Sequence, residues 1–305
     1  MIKNQTLIAT PKVSVLMTCY NAASTIEESV RSVLAQTFTD FELVLVDNCS
    51  TDESISIVKK LADPRIRIVA LEKNHGRTPA LNIALNNAHG QYIAILDADD
   101  TSTPDRFQLQ VDCLDQNSEL VLVASWYRNV DSSGKIINEA RPPTSHLKII
   151  QRLASDNPIV NSATMFRLSS ATSVGGYDPK FHYSQDFALW LQLAQIGKLQ
   201  ILGKFLCDIR RVNTSLSGVA SRGVSLSGEG YELYKRAQGL EGLRVIDRLR
   251  GQRTIGLYGL LYAWRSLRAG KVLRVIGLTI TNFWAIPIAF VELLRKGFKF
   301  FKPIK

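Results

Sequence analysis

The feature that most constrains this chain is a short apolar run followed at once by three acids. Ile93 to Leu96 is unbroken apolar sequence, too short for a buried helix and with two β-branched residues. This pattern predicts a strand buried on both faces of a mostly parallel sheet. Asp97, Asp99 and Asp100 follow directly. Open α/β sheets bind ligands at the carboxyl ends of their strands, so we expect these acids to face a ligand.

Three acids this close together repel one another unless a cation joins them. A hard divalent ion such as Mg²⁺ or Mn²⁺ takes oxygen ligands from one or two carboxylates and the rest from substrate phosphates and water. The alternative interpretation is a polar turn in which Thr103 and Pro104 start the next helix. The acidic pattern by itself leaves both interpretations open.

Strand-like and helix-like segments alternate through the first hundred residues. Strands are predicted at 13–18, 41–46, 65–71 and 93–96, with a helix after each of the first three. This alternation predicts an α/β fold, Rossmann-like, with a mostly parallel central sheet and helices on both faces. No G-x-G-x-x-G follows the first strand, which removes the usual dinucleotide-binding fingerprint.

Beyond Pro104 the alternation loosens. A strand is predicted at 120–125 and another at 161–166, with short helices between them. A longer helix is predicted to begin after Ser184 as its N-cap, with Asp186 in its first turn. The helix dipole alone favours an acid at this position by about 0.3–1 kcal/mol, so Asp186 by itself does not indicate a function.

The formal charge of +10 on this chain of 305 residues lies at its C-terminal end. Residues 231–305 contain 15 Lys and Arg against 4 Asp and Glu. The four cysteines have no C-x-x-C spacing, which favours reduced thiols in the cytosol over disulfides or a zinc site. The first six residues contain no apolar signal segment, which argues against secretion.

The C-terminal tail is predicted to be helical from residue 229 onward. Residues 275–291 are uncharged but short for a membrane span, which usually needs about 20 residues, so a core helix is equally open. In residues 293–305, phenylalanines alternate with Lys and Arg, as is typical of a segment lying at an anionic membrane surface. A solvated end and non-specific attraction to nucleic acid are the alternatives; we expect no specific nucleic-acid binding.

Several short motifs, in this order and spacing, together resemble the family 2 glycosyltransferases of bacterial cell-surface polysaccharides. The resemblance extends over residues 13–217, and it implies the GT-A fold and inversion of configuration at the transferred sugar. The motifs that carry it are Val13-Ser-Val-Leu-Met-Thr-Cys-Tyr-Asn21, Leu45-Val-Asp-Asn-Cys-Ser-Thr-Asp52, Leu96-Asp-Ala-Asp-Asp100 with Pro104-Asp-Arg106, and Gly175-Gly-Tyr-Asp178 followed by Gln185-Asp186.

The resemblance implies a role for each candidate residue. In that family the loops after the first two strands hold the nucleobase, which implies this role for Thr18, Tyr20, Asp47 and Asn48. The other implied roles are the diphosphate for Arg77, the ribose or phosphates for Asp97, a metal ligand of Mn²⁺ or Mg²⁺ for Asp99, and the general base for Asp186.

The implied reaction is the metal-dependent, inverting transfer of a sugar from a nucleotide-diphosphate sugar to a hydroxyl of a glycan or lipid-linked acceptor. Residues 1–100 would form the nucleotide-sugar half and residues 101–220 the acceptor half. Residues 221–305 would be a helical, basic region that associates with the membrane. We therefore expect a cytoplasmic protein, peripheral on the inner face of the cell membrane.

Three departures from the family pattern keep a second function open. Asn48 replaces an acid, Gln185 replaces the acid before the base, and Val212 stands where a histidine is common. These changes would suit a catalytically silent sugar-nucleotide-binding partner of a membrane glycan-assembly complex, although such a partner has no need of Asp186. A third function, nucleotidyl transfer, would require a Gly-rich phosphate loop after the first strand, and residues 18–24 contain none. All four histidines are expected at the surface or in turns: His75, His89, His146 and His182.

Overall fold

The computed structural model of the chain describes residues 10–211 and 223–268, and its first half has the predicted alternation. Four parallel strands lie in the order β3-β2-β1-β4: β1 (Val13–Cys19), β2 (Phe41–Asp47), β3 (Ile66–Ala70) and β4 (Tyr92–Ile95). Three helices connect them: α1 (Ile26–Leu34), α2 (Ser54–Lys60) and α3 (Arg77–Asn86). The Rossmann-like arrangement predicted for this half is confirmed.

The second half extends the same sheet with strands of both directions. The order after β4 is β8 (Met165–Arg167), β6 (Leu120–Val130), β9 (Lys198–Arg210) and β5 (Thr101–Ser102), while β7 (Ile136–Ala140) pairs with β6. β8 is antiparallel to β4 and β6, and β9 is parallel to β6. The helices of this half are α4 (Arg106–Gln116), α5 (His146–Leu153), α6 (Leu168–Ser173) and α7 (Gln185–Ile196).

Two strands of this half differ from the sequence prediction. The predicted strand at 161–166 begins as a 3-10 turn, Asn161–Ala163, because the Thr164 hydroxyl and backbone N–H both donate to the Asn161 carbonyl. Only three residues of β8 then remain extended. The 13-residue β9 was not predicted, since its exposed residues Gly203 and Lys204 interrupt the alternation of buried and exposed side chains.

Apolar layers cover both faces of the sheet, as predicted. Leu16 of β1 belongs to the layer that includes Leu81 of α3 and Trp190 of α7. Its neighbours in β1 point the other way, into the layer that includes Val30 of α1 and Phe107 of α4. This alternation along a strand places the loops at the strand ends between two rigid layers.

Two C-terminal helices complete the first of these layers. α8 (Gly223–Ala237) and α9 (Val245–Arg268) pack against each other, and Tyr234 of α8 stacks on Phe187 of α7 with ring centroids 5.2 Å apart. A Cβ at Gly230 would lie 2.3 Å from Cε1 of Tyr258, so only glycine permits this approach. The predicted helical character is confirmed over these two helices; residues 275–291 and 293–305 lie outside the residues that the structure describes. None of the helices described is both long and apolar enough to cross a bilayer.

Candidate active site

The carboxyl ends of the parallel strands open into a cavity of about 690 Å³, called here the larger cavity. One predicted nucleotide-binding residue, Asp47, is not among its lining residues. The buried carboxylate of Asp47 accepts a hydrogen bond from the Ser50 backbone N–H at 3.0 Å, so its role in base binding stays a prediction. The other residues predicted to bind the nucleotide or the metal all line the larger cavity: Thr18, Tyr20, Asn48, Arg77, Asp97 and Asp99.

A smaller cavity of about 270 Å³ adjoins the larger one and contains the predicted base. Asp186 and Asp99 both line this smaller cavity, although 87 positions of sequence separate them. The six residues common to the two cavities are Arg77, Asp97, Asp99, His182, Tyr183 and Arg210. The structure therefore places the predicted metal ligand and the predicted base in one continuous cleft.

The three acids after β4 have different partners. Asp97 accepts two hydrogen bonds from Nη2 of Arg77, at 2.6 and 2.5 Å. Asp100 is buried and accepts hydrogen bonds from the Ser162 hydroxyl at 2.5 Å and the Arg210 backbone N–H at 2.8 Å. The carboxylate of Asp99 receives no side-chain hydrogen bond from any residue in the described part of the chain. Asp99 is therefore the acid that is free to bind a ligand.

The chemistry of this cluster fits a divalent cation. One oxygen from each of Asp97, Asp99 and Asp100 lies within 4.8 Å of the others, and carboxylate oxygens are the donors that Mg²⁺ and Mn²⁺ prefer. Burial, reinforced by the charge of Asp97, raises the pKa of Asp99 above its ordinary value, and the pKa of Asp100 is raised further for the same reasons. A bound cation would remove this mutual repulsion.

Asp186 lies in the first turn of α7, as predicted, and it is partly buried. Burial raises the pKa of its carboxyl group to about 6, although the Phe187 backbone N–H and the charge of Arg77 act to lower it. No cation forms an ion pair with Asp186 among the described residues. A carboxylate that is unpaired, inside a cleft and titrating near neutral pH has the properties of a general base.

The geometry agrees with comparisons to known proteins. The family model "Glycosyl transferase family 2" matches residues 14–172. The uncharacterized glycosyltransferase MJ1057 of Methanocaldococcus jannaschii is 34% identical over 208 residues, which cover 67% of this chain and 72% of that protein. The chain belongs to glycosyl transferase family 2. It is a glycosyltransferase, as the sequence motifs predict.

Other relatives of this glycosyltransferase are larger or more distant. Chondroitin synthase of Escherichia coli is 30% identical over 221 residues, which cover 70% of this chain but 31% of that protein. Residues 1–349 of S. aureus TarS in complex with UDP-GlcNAc superpose with a TM-score of 0.67 at 18% identity, covering 90% of this chain and 82% of that one. The mannosyltransferase PcManGT from Pyrobaculum calidifontis, in complex with GDP-Man and Mn²⁺, gives a TM-score of 0.59 at 18% identity, covering 92% and 81%. These likenesses confirm the predicted GT-A fold.

Arg210 holds the acidic loop of this glycosyltransferase in place. Its guanidinium is largely buried and lies 2.6 Å from the carboxylate of Glu28. The same group donates to the backbone carbonyls of Asp99 and Ser132. Val212, which stands where a histidine is common in the family, lies outside the described residues. Arg210 does line the cleft, but its donors are largely occupied by the protein.

The side chain of Asn48 is hydrogen-bonded to a neighbouring loop. Its Nδ2 donates to Oδ1 of Asn74 at 3.1 Å and to the Gly76 carbonyl at 3.3 Å, while its Oδ1 accepts from the His75 backbone N–H at 2.9 Å. The family resemblance implies that this amide contacts the nucleobase. Because both N–H donors are occupied, Asn48 lines the larger cavity mainly as a brace for the loop at 74–76.

One carboxylate on α8 holds the loop that leads into α7. The buried side chain of Glu229 accepts backbone N–H groups from His182 at 2.9 Å, Tyr183 at 3.0 Å and Ser184 at 2.9 Å. Ser184 is the N-cap residue, as predicted, but its side chain makes no capping bond. No local sequence pattern predicts this contact, because Glu229 lies 45 residues beyond Ser184 in an unrelated helix.

One of the four histidines, which were all expected at the surface or in turns, also lines the cleft. His182 is exposed, but it lines both cavities beside Tyr183. Other residues that sequence reasoning did not assign to the donor site are Asn21, Asn74 and Gly76, and they lie in loops that only the folded chain brings together. Asn161, at the start of the segment 161–166 that was predicted as a strand, lines the smaller cavity.

Proposed function

We propose that this glycosyltransferase moves a sugar from a nucleotide-diphosphate donor to a hydroxyl of a glycan or lipid-linked acceptor. A single observation carries the proposal, namely that Asp99 and Asp186 line one cleft. The larger cavity, about 690 Å³, is of the size that binds small-molecule ligands and would take the donor. The smaller cavity beside Asp186 would take the acceptor hydroxyl.

Mn²⁺ or Mg²⁺ would be held by Asp99, with Asp97 and Asp100 close enough to assist. Such an ion, when bound, would act as a Lewis acid that stabilises the negative charge of the departing diphosphate. One cationic side chain of the cleft, Arg77, is the first residue of α3 and is fixed by its ion pair with Asp97. Its remaining N–H groups would orient the donor phosphates.

Asp186 would act as the general base. Its ionised carboxylate takes the proton of the acceptor hydroxyl while that oxygen forms a bond to the anomeric carbon. The bond between the anomeric carbon and the diphosphate oxygen breaks in the same step, and its electron pair leaves with the nucleoside diphosphate. Attack from the face opposite the leaving group inverts the anomeric carbon. An NMR assignment of the product showing retained configuration would reject this step.

Two unpaired oxygens support a hydroxyl-rich acceptor. Oδ1 of Asn161 and Oε1 of Gln185 are buried in the lining of the smaller cavity and have no hydrogen-bond partner within the described structure. Buried acceptors without a partner are unfavourable by about 1–3 kcal/mol, so a ligand that donates to them binds with advantage. Sugar hydroxyls are such donors. The name of one relative, chondroitin synthase, is consistent with a glycan acceptor.

We also propose that the protein is cytoplasmic and sits on the inner face of the cell membrane. The support is the composition of residues 271–305, which carry seven Lys and Arg against one acid among apolar residues. A lipid-linked acceptor would lie at that surface. Recovery of the whole chain in the soluble fraction, unchanged when residues 271–305 are deleted, would contradict this part of the proposal.

The experiment that tests the reaction is a screen of UDP-, dTDP- and GDP-sugars with and without Mn²⁺. Thermal shift reports binding, and release of nucleoside diphosphate reports turnover. Asp186→Asn should keep the thermal shift and lose roughly 10²–10⁴-fold in turnover, the usual contribution of a general base. Asp99→Asn should lose the stabilisation by Mn²⁺.

Asp112→Asn is the matched control, because Asp112 is exposed on α4 and contacts only Gln108 among the described side chains. It should behave as wild type in every assay. Sugar nucleotides that bind but are never turned over, with any metal, would instead favour the silent binding partner. Turnover that survives in Asp186→Asn would remove the base from the mechanism.

A further inference from the structure

The first turns of α9 expose three large aliphatic side chains. Val245 is 76% exposed, Ile246 46% and Leu249 55%. Spacings of one, three and four residues put all three on one side of a helix. The opposite side of the same turns is buried, with Asp247 and Gly251 facing the protein. An exposed aliphatic cluster of this size, set among arginines, indicates contact with something other than water.

Arginines surround this aliphatic cluster. Arg248, Arg250 and Arg253 are exposed beside it, whereas the one acid of these turns, Asp247, is buried and lies 2.8 Å from Arg244 and 4.0 Å from Arg250. We call the exposed set Val245, Ile246, Leu249, Arg248, Arg250 and Arg253 the α9 face. Leu147 of α5, itself 52% exposed, lies beside Gly242, three residues before Val245.

We propose that the α9 face binds an anionic lipid bilayer. The aliphatic side chains would enter the boundary between headgroups and acyl chains, and the arginines would contact lipid phosphates. The inference deepens the membrane part of the proposed function, but it rests on residues other than 271–305. It does not depend on the chemistry of sugar transfer.

Charge favours the bilayer over the two other possible occupants. A second copy related by two-fold symmetry would bring the same arginines towards one another, and like charges repel. Residues 269–305 of this chain contain seven Lys and Arg and one acid, so they offer no negative surface either. A neutral apolar segment would cover the aliphatic side chains but offer no negative charge to the exposed arginines, of which, within the described chain, only Arg250 has a carboxylate nearby, Asp247 at 4.0 Å. An anionic bilayer satisfies both parts of the face.

The test is flotation of the full chain with vesicles of phosphatidylcholine alone or mixed equally with phosphatidylglycerol. Wild type should float with the anionic vesicles. Arg250→Gln with Arg253→Gln should weaken binding about fivefold per arginine, since each cation near anionic headgroups contributes about 1 kcal/mol. Val245→Ser, Ile246→Ser and Leu249→Ser together should weaken it by about tenfold or more.

The matched control replaces two aliphatic residues that are equally exposed elsewhere. Ile136 and Ile137 of β7 are 48% and 54% exposed, and their double replacement by serine should leave vesicle binding unchanged. Turnover of a soluble acceptor should be the same in all variants, which separates this proposal from the proposed reaction. A control variant that weakens binding as much as the α9 variants would overturn the proposal.

A gain-of-signal variant keeps the test independent of folding defects. Leu249→Trp retains an apolar residue on the α9 face, and its added fluorescence should shift to shorter wavelength when anionic vesicles are mixed in. An unshifted spectrum while the protein floats would show that residues 271–305 bind alone, and it would reject the proposal. A dimer that dissociates in the Val245, Ile246 and Leu249 variant, with vesicle binding intact, would assign the face to a second copy.

Discussion

Asp186 must be ionised to take a proton, yet its environment favours the neutral acid. Burial raises the pKa of its carboxyl group to about 6, and no cation pairs with it directly among the described residues. The group is therefore ionised at neutral pH at some expense to stability. A site that holds a charge without neutralising it retains the basicity that proton transfer requires.

The raised pKa of Asp186 predicts the pH dependence of catalysis. Below about pH 6 the carboxyl group is protonated and unable to accept a proton, so kcat/KM should fall about tenfold for each pH unit. Above pH 7 the titration of Asp186 should no longer change kcat/KM. The measurement is kcat/KM between pH 5 and 8.5 at saturating metal. A profile that is flat across pH 6 would contradict the role of Asp186.

The same pKa predicts that removing the charge stabilises the fold. Because the folded pKa of about 6 lies above the usual 3.8, the stabilising effect of protonation is complete below about pH 4 and lost as the pH rises through 6. At pH 8, Asp186→Asn should therefore unfold with a free energy about 3 kcal/mol higher than wild type, since each pKa unit corresponds to about 1.4 kcal/mol. Urea unfolding at pH 8 and at pH 4 tests this, since the difference should shrink at the lower pH.

At the scale of elements, α8 controls the entry to α7. Glu229 collects three backbone N–H groups from the loop at 182–184, and Ser225 of the same helix donates to it at 3.3 Å. Asp186 lies only two residues after the end of that loop. The position of the base therefore depends on a helix that lies beyond the span of the family model, residues 14–172.

We expect Glu229→Gln to lower kcat/KM by about tenfold without changing the affinity for the donor nucleotide. The glutamine side chain has one acceptor oxygen, and its NH₂ group would face the backbone N–H groups of residues 182–184. Each N–H group left without an acceptor is unfavourable by about 1–3 kcal/mol. Donor Kd and acceptor KM should be measured separately. Glu232→Gln is the control, since exposed Glu232 on the same helix only pairs with Arg236. Lost thermal stability with unchanged kinetics would make Glu229 purely structural.

The first half of the fold could be predicted from sequence because its signals are local. Apolar runs such as Ile93 to Leu96 and the periodic face of α3 each lie within a dozen residues. The parts that could not be predicted depend on distant partners. β9 is stabilised by pairing with β6. Asn161 is held in its turn because the Thr164 hydroxyl donates a hydrogen bond to the Asn161 carbonyl. Tertiary contacts that leave no sequence pattern place His182 in the lining of the cleft and Glu229 against the loop at 182–184.

At the scale of the whole molecule, the C-terminal helices belong to the core of the catalytic domain. Tyr234 and Ile255 share one apolar layer with Phe187 and Trp190, and Gln238 donates to the Ala154 carbonyl. The sequence division at residue 220 therefore separates segments that pack together in the described structure. The region 221–305 stays a prediction as a membrane-associating unit.

We expect a chain ending at residue 222 to aggregate and a chain ending at residue 268 to unfold in one cooperative transition. The shorter chain would expose Phe187 and the rest of the layer that α8 covers, at about 25 cal/mol per Å² of apolar surface. Calorimetry and size-exclusion chromatography of the two truncated chains test this. A soluble, cooperative chain of 222 residues would show that α8 and α9 are dispensable.

The brace formed by Asn48 has an evolutionary consequence. Relatives with an acid at this position cannot share the present arrangement of the loop at 74–76, because a carboxylate would face the Asn74 amide oxygen and the Gly76 carbonyl, both of which accept hydrogen bonds from the Asn48 NH₂ group. Asn48→Asp alone would thus set three acceptors against one another. A designer who wishes to place an acid at position 48 would therefore have to change position 74 as well.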